Sequence, residues 1–277
     1  MSRPVVIVLA GGASKRFSPL HDKPLFEFGA QSLLERHLRL LKAEGCERFV
    51  VVVQGSSAAS AAAILDAVAV AGRLAVQPEA NGMADAVLSA RPALEAFGDG
   101  PVYVTQAQDV VDPKLHQQML GAWTARPAKL GGLIAAARVD GHFPGGYLTL
   151  KGQRVTGVVE KPGPGKEPSD LVNLVAHVFE SWRELVETVE GEAAATETDD
   201  AYERALTRMM AKRELQAVVY EGRWQALKFP WQVLDVMDMT ASVKLTAHWG
   251  IDHMHLLKKK GRWKIVQILW QSHPPTR

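Results

Sequence analysis

Four apolar runs separated by helical patterns constrain this chain more than any other feature. Val5 to Leu9 is unbroken by polar residues and ends at Gly11 and Gly12, and Phe49 to Val53, Leu74 to Gln77 and Val102 to Thr105 repeat the theme. Runs without polar alternation fit strands covered on both faces. Between the first two, Ser32 and Glu35 make a capping box, Leu33, Leu34, Leu38 and Leu41 recur at helical spacing, and Gly45 suits a C-terminal cap. A helix is therefore predicted over about Ser32 to Glu44, with others over Ala58 to Ala71 and Met83 to Phe97. Strands and helices alternating in this way imply right-handed crossovers. The expected fold is α/β, a Rossmann-like mixed, mostly parallel sheet with helices on both faces. Ligands of such sheets sit beyond the carboxyl ends of the strands. The loop at Gly11, the segment Gln77 to Asp85 and Gln106 to Asp109 all fall at such ends and are expected to converge there.

After about Leu130 the pattern changes to shorter strands, Leu133 to Arg138, Tyr147 to Leu150, Val155 to Glu160 and Leu171 to Phe179. Helices are expected near Ser181 to Val189 and Asp199 to Lys212, and a surface loop over Pro162 to Pro168. Residues 1–240 read as one domain and 241–277 as an extension.

At 277 residues and 47% hydrophobic, the chain can bury a substantial core. Thirty-two Lys and Arg against 30 Asp and Glu leave +2, too little to point to nucleic acid or a membrane surface. Cys46 is the sole cysteine, which excludes an intrachain disulfide and a cysteine zinc site and fits a reducing compartment. The apolar run before Gly11 is shorter than a signal-peptide core, and no run reaches a membrane span, so a cytoplasmic location is expected.

The loop Ala10-Gly-Gly-Ala-Ser-Lys-Arg16 meets neither the dinucleotide fingerprint nor the P-loop pattern. It keeps a glycine pair that permits close backbone approach, a run of N–H groups and the cations Arg16 and Lys23, a set that suits a polyphosphate. Lys15 ranks below those two cations, and an ordinary βα loop with solvated cations is the competing reading.

The stretch Leu9-Ala-Gly-Gly-x-Ser-Lys-Arg-Phe-x-Pro-Leu-x-x-Asp-Lys-Pro24 resembles the signature of the sugar-1-phosphate nucleotidyltransferases, with Ser14 in place of the usual third glycine. Gln77-Pro-Glu-Ala-Asn-Gly-Met-Ala-Asp-Ala86 resembles the base-reading segment of that family, Gln108-Asp109 its metal-binding Gly-Asp pair, and Glu160-Lys161-Pro162 its glutamate-lysine-proline motif. Phe229 to Val236 resembles the segment that closes the catalytic domain. The resemblance spans about residues 5–240 and implies a nucleotide-diphospho-sugar transferase type of fold. It implies that Leu9, Gly11, Gly12, Gln77 and Gly82 bind the nucleotide, that Glu160 and Asn173 hold the sugar, and that Arg16, Lys23, Asp109 and Lys161 act on the phosphates. Mg2+ is the implied cofactor, on Asp109. The family's second carboxylate falls at Ala226, and Asp235 is the nearest substitute.

The implied reaction moves a nucleoside monophosphate from an NTP to a sugar 1-phosphate, releasing pyrophosphate and an NDP-sugar. A non-catalytic nucleotide or sugar-nucleotide sensor and transfer to a non-sugar phosphate are the competing expectations. In the tail, Ile251 to Leu257 and Trp263 to Trp270 read as a β-hairpin, similar to the closing hairpin of NTF2-like domains over about 35 residues. A lone hairpin is marginal in water, so it is expected to pack on the same chain or on a second copy, as a homo-oligomer contact. His253 and His255 share a face of that hairpin.

Overall fold

The computed structural model describes residues 3–12, 14–18, 21–28, 31–195, 200–229, 232, 240–247, 250–259 and 262–271. Two compact units make up the chain: Met1–Ala13 with Asp22–Trp224, and Ser14–His21 with Gln225–Arg277.

In the larger unit, β1 (Val5–Leu9) precedes two short strands, β2 (Glu27–Phe28) and β3 (Gln31–Ser32), then α1 (Leu33–Ala43), β4 (Arg48–Gln54), α2 (Ala58–Val68) and β5 (Ala71–Gln77). Helices α3 (Gly82–Ser89) and α4 (Arg91–Glu95) lead to β6 (Val102–Gln106), β7 (Asp109–Val111) and α5 (Lys114–Ala125). The second half supplies β8 (Leu130–Arg138), β9 (Gly146–Lys151), β10 (Arg154–Glu160), β11 (Leu171–Phe179), α6 (Trp182–Ala195), α7 (Ala201–Lys212) and β12 (Glu214–Tyr220), before β13 (Trp224–Ala226).

Nine strands form one mixed sheet in the order β5-β4-β1-β6-β11-β8-β12-β10-β9. Strands β5, β4, β1 and β6 run parallel to one another, and β8 runs parallel to β12, whereas β11 runs antiparallel to both β6 and β8. Register decides where the site forms. Leu9 lies opposite both Val52 and Gln106, and Gln54 lies opposite Gln77, so four carboxyl ends are level and their loops emerge together.

The unbroken apolar run of β1 is explained by burial on two sides. Val6 and Val8 join a core with Leu34, Leu38 and Leu41 of α1, while Val5 and Ile7 join one with Val87 of α3, Leu185 of α6 and Leu206 of α7. With no face toward water, the strand has no position for a polar residue.

The first helix forms as the sequence predicts: Ser32 Oγ accepts from the Glu35 amide at 3.1 Å, and Gly45 ends the helix at φ +81°. Elsewhere the boundaries move for local reasons. Helix α2 stops at Val68 because Ala69 turns left-handed at φ 53°, and β5 starts at Ala71, earlier than expected. The single helix expected over Met83 to Phe97 is two helices, with Pro92 in the first turn of the second, where its missing N–H is harmless. Helix α6 runs on to Ala195, and α5 and β12 were not expected at all.

In the smaller unit the expected hairpin is present, with Lys259 opposite Arg262, and β14 (Thr240–Ala247) pairs with β15 (Gly250–Lys259) beside β16 (Arg262–Gln271). The tail is therefore a three-stranded antiparallel sheet rather than a lone hairpin. His253 and His255 lie two residues apart on β15, so their backbone positions share one face. Among the described residues no helix is long and apolar enough to cross a membrane.

Candidate active site

Gly11 follows β1 at the point where Gln77 ends β5, and the two approach closely. A Cβ on Gly11 would lie 2.7 Å from Gln77 Oε1, well inside contact distance. Glycine is required there for space, because the Gln77 side chain, 2% exposed, occupies the place of any larger residue. Gly11→Ala should force that amide out and cost about 1–3 kcal/mol of stability, seen as a drop in melting temperature of several degrees. The Gln77 amide is itself held from below: Nε2 donates to the Gly82 carbonyl at 3.1 Å and to Asp85 Oδ2 at 2.9 Å.

Beside this pair runs a chain of side-chain hydrogen bonds from a buried cation to a carboxylate. Lys23, 9% exposed and set in a short turn after the left-handed Asp22, donates through Nζ to Gln108 Oε1 at 3.2 Å. Gln108 Nε2 donates to Gln106 Oε1 at 2.9 Å, and Gln106 Nε2 to Asp109 Oδ2 at 2.8 Å. Each amide uses its oxygen toward the lysine and its nitrogen toward the aspartate, so the relay has one polarity from end to end. Gly12 flanks it, since a Cβ there would sit 3.8 Å from Gln108 Oε1. The same Asp109 oxygen also accepts from Trp224 Nε1 at 3.1 Å.

A second group forms where β10 ends. Glu160 pairs with Gly146 across the β9–β10 ladder, and a Cβ on Gly146 would lie 2.9 Å from Glu160 Oε2 and 3.8 Å from Asn173 Cβ. Glu160 and Asn173 thus flank one bare stretch of backbone. Glu160 Oε1 meets Lys161 Nζ at 2.9 Å, and with the lysine side chain 64% exposed the pair contributes orientation more than stability. Lys161 adopts φ 43°, a left-handed backbone that costs a non-glycine residue about 1–2 kcal/mol, and its N–H donates to the Gly145 carbonyl. Asn173 Oδ1 lies 2.8 Å from His177 Nε2, and His177 Nδ1 lies 2.9 Å from the Tyr202 hydroxyl. Burial pushes the His177 imidazole down to about 3, so it is neutral and holds one proton. With Asn173 Oδ1 as acceptor that proton is on Nε2, and Tyr202 donates to Nδ1.

Aromatic side chains connect the two groups. Trp224 packs against Phe143 at 5.1 Å between centroids, and the Phe143 amide donates to the Tyr147 hydroxyl at 2.6 Å, one residue from Gly146.

Of the residues singled out by the sequence, Gly11, Gly12, Lys23, Gln77, Gly82 and Asp109 meet at the level strand ends, and Glu160, Lys161 and Asn173 form the second group. Leu9 closes β1, with its carbonyl taken by the Ala107 amide. Arg16 lies in the turn Lys15–Phe17 of the smaller unit, and Asp235 lies outside the described residues. Asp85, Gln106, Trp224 and Phe143 take part without having been assigned a role. The signal for Gln106 was available, since Gln106-Ala-Gln108-Asp109 is an abrupt polar cluster after the buried run Val102 to Thr105.

A family profile described as nucleotidyl transferase matches residues 5–227. The bifunctional protein GlmU of Corynebacterium efficiens is 28% identical over 184 residues, 64% of this chain and 37% of that protein, and GlmU of Xanthobacter autotrophicus is 30% identical over 159 residues, 57% of this chain and 34% of that protein. The chain matches only about a third of the length of these curated relatives. A UDP-glucose pyrophosphorylase complexed with UDP-glucose shares the fold at 15% identity, with a TM-score of 0.71 over 86% of this chain and 98% of that one. The inositol-1-phosphate CTP transferase from T. maritima does so with a TM-score of 0.70 over 86% and 96%, also at 15% identity. With more than half of its length matched by that profile, the chain belongs to the nucleotidyl transferase family.

Proposed function

We propose that this protein transfers a nucleoside monophosphate from an NTP to a sugar 1-phosphate. The observation that carries the reading is the relay from Lys23 to Asp109, laid along the strand ends beside Gly11 and Gln77. A phosphate oxygen of the sugar 1-phosphate would bond to the α-phosphorus as the bond to the bridging β-oxygen breaks. Pyrophosphate would leave with that electron pair. The attacking oxygen is already anionic near pH 7, so no residue need remove a proton, and the barrier lies in bringing polyanions together. Lys23 supplies fixed positive charge in a site partly screened from water, where it acts more strongly than in bulk. Lys161, held beside Glu160, would meet the sugar phosphate. Glu160 offers acceptor oxygens and Asn173 donor hydrogens, the pair that one sugar hydroxyl needs in order to donate and accept together.

Among the described residues no group of three His, Cys, Asp or Glu side chains forms a metal site. Asp109 remains compatible with Mg2+, which commonly takes one or two carboxylates together with substrate phosphates and water. Its Oδ2 is already oriented by Gln106 and Trp224, as carboxylate ligands usually are. When bound there, Mg2+ would neutralise charge on the phosphates. Ala226 stands at the family's second carboxylate position, and this favours keeping the sensor reading in the same test.

That test is pyrophosphate release with UTP, dTTP, CTP, ATP and GTP, each paired with glucose 1-phosphate and with inositol 1-phosphate in the presence of Mg2+. Release with a glucose 1-phosphate pair is expected. Release with inositol 1-phosphate alone would move the acceptor outside the sugars, and NTP binding without release from any pair would make the protein a sensor.

A further inference from the structure

The Gln77 amide is wired in a way the proposed activity does not require. Gln77 has two amide hydrogens and one oxygen with which to read a ligand. Both hydrogens are committed, one to the Gly82 carbonyl at 3.1 Å and one to Asp85 Oδ2 at 2.9 Å. Both partners meet it as acceptors, one a backbone carbonyl and the other a carboxylate oxygen. The orientation is therefore fixed: turning the amide over would set Oε1 against two acceptor oxygens and leave Nε2 against Gly11. In the observed orientation Oε1 lies at the glycine loop, and among the described residues no donor reaches it. The Gln77 oxygen, with both amide hydrogens held and no donor among the described residues, is left open to accept a ligand N–H.

We infer that Asp85 is a positioning residue that makes Gln77 a one-way reader, able to offer a nucleobase an oxygen and never an N–H, and so sets which base the site takes. This rests on the reading that Gln77 faces the base of an NTP. The class of ligand comes from the chemistry: a base that presents an N–H at that point of its edge. A base that presents a ring nitrogen or carbonyl there meets oxygen against oxygen. A free glutamine could rotate to suit either kind, and the carboxylate removes that freedom. Asp85 has no other side-chain partner among the hydrogen bonds of this region, its backbone carbonyl taking only the Ser89 hydroxyl at 2.9 Å.

The experiment compares the wild type with Asp85→Leu and Asp85→Asn by titration calorimetry against UTP, CTP, ATP and GTP, with no acceptor present. Leucine matches aspartate in shape and cannot accept; asparagine retains an oxygen for Gln77 Nε2. The wild type should prefer one class of base by about tenfold or more, the discrimination expected of a well-made base contact. Asp85→Leu should bring the affinities to within a few-fold of one another, and Asp85→Asn should restore the preference. Wild-type selectivity in a folded Asp85→Leu protein would overturn the inference, as would equal loss in both variants. Should the leucine variant fail to fold, Asp85→Ala carries the same expectation. A wild type that binds nucleoside triphosphates without preference also overturns it, while leaving the proposed reaction standing. A wild type that binds none removes both.

Discussion

Asp109→Asn should lower the rate of pyrophosphate release by at least about a hundredfold, the scale of losing one preorganised charge from a phosphoryl-transfer site, while the protein melts within a few degrees of the wild type. The two halves of this expectation come from different atoms. Asparagine keeps an oxygen to accept from Gln106 Nε2 and Trp224 Nε1, so the local hydrogen bonds that anchor β7 to Trp224 persist. The substitution removes the negative charge that balances Lys23 across the two glutamines and that would hold a cation against the phosphates. Steady-state rates at several Mg2+ concentrations check it, since a lost ligand also raises the Mg2+ needed for half-maximal rate. Near-normal turnover at ordinary Mg2+ would assign the metal to some other group.

Much of this site was legible in the sequence because its parts sit at strand ends, and strand ends can be read. Val5 to Leu9 announces a central strand, and a central parallel strand delivers the residues just beyond its end, Gly11 and Gly12, to the crevice. Gln77 and Asp109 were legible by the same logic. Less legible were contacts that depend on register. Nothing in the order of residues says that Gln54 aligns with Gln77, which is how the β5 end comes level with the glycine loop. Trp224 reaches Asp109 over a separation of 115 residues, and Tyr202 reaches His177 from the next helix but one. Such pairs arise from packing and leave no local pattern. The insertion of β12 beside β8 was hidden for a related reason: Glu214 to Tyr220 mixes buried and half-exposed positions and comes after a helix with no glycine or proline to mark its start. Ser14 shows the opposite case. It adopts φ 49°, the left-handed backbone that explains why a glycine is usual at its place in the signature, and the sequence holds serine there at some cost in strain.

The protein should lose several kcal/mol of stability between about pH 6.5 and pH 5, an acid sensitivity set by three buried histidines. His177 is held at about 3 and His116 at about 4, and His37 lies well below 6.5, in each case first because burial penalises the charged ring. His37 and His116 oppose each other further. Their rings are 4.9 Å apart and nearly perpendicular, Arg36 adds positive charge to both, and His37 Nδ1 and His116 Nε2 have no hydrogen-bond partner to receive a new N–H. Their other nitrogens are occupied by neutral hydroxyls, Thr105 Oγ1 at 3.0 Å and the Tyr103 hydroxyl at 2.9 Å. All three rings are neutral in the fold, while in the unfolded chain they take up protons as pH falls through about 6.5. The unfolded state then binds more protons, so stability declines as pH drops below that point and is unaffected above it. Each ring contributes up to about 1.4 kcal/mol per pH unit until its own folded value is reached. Three rings acting over about one and a half units remove up to about 6 kcal/mol, a large share of the about 5–15 kcal/mol that holds an ordinary domain folded. Circular-dichroism melts from about pH 8 to pH 5 should show a level melting temperature down to about 6.5 and a steep fall below it. His116→Gln, which cannot titrate, should make that fall shallower by about a third, one ring in three. A melting temperature that stayed level to about pH 5 would mean that these histidines accept protons without leaving the core.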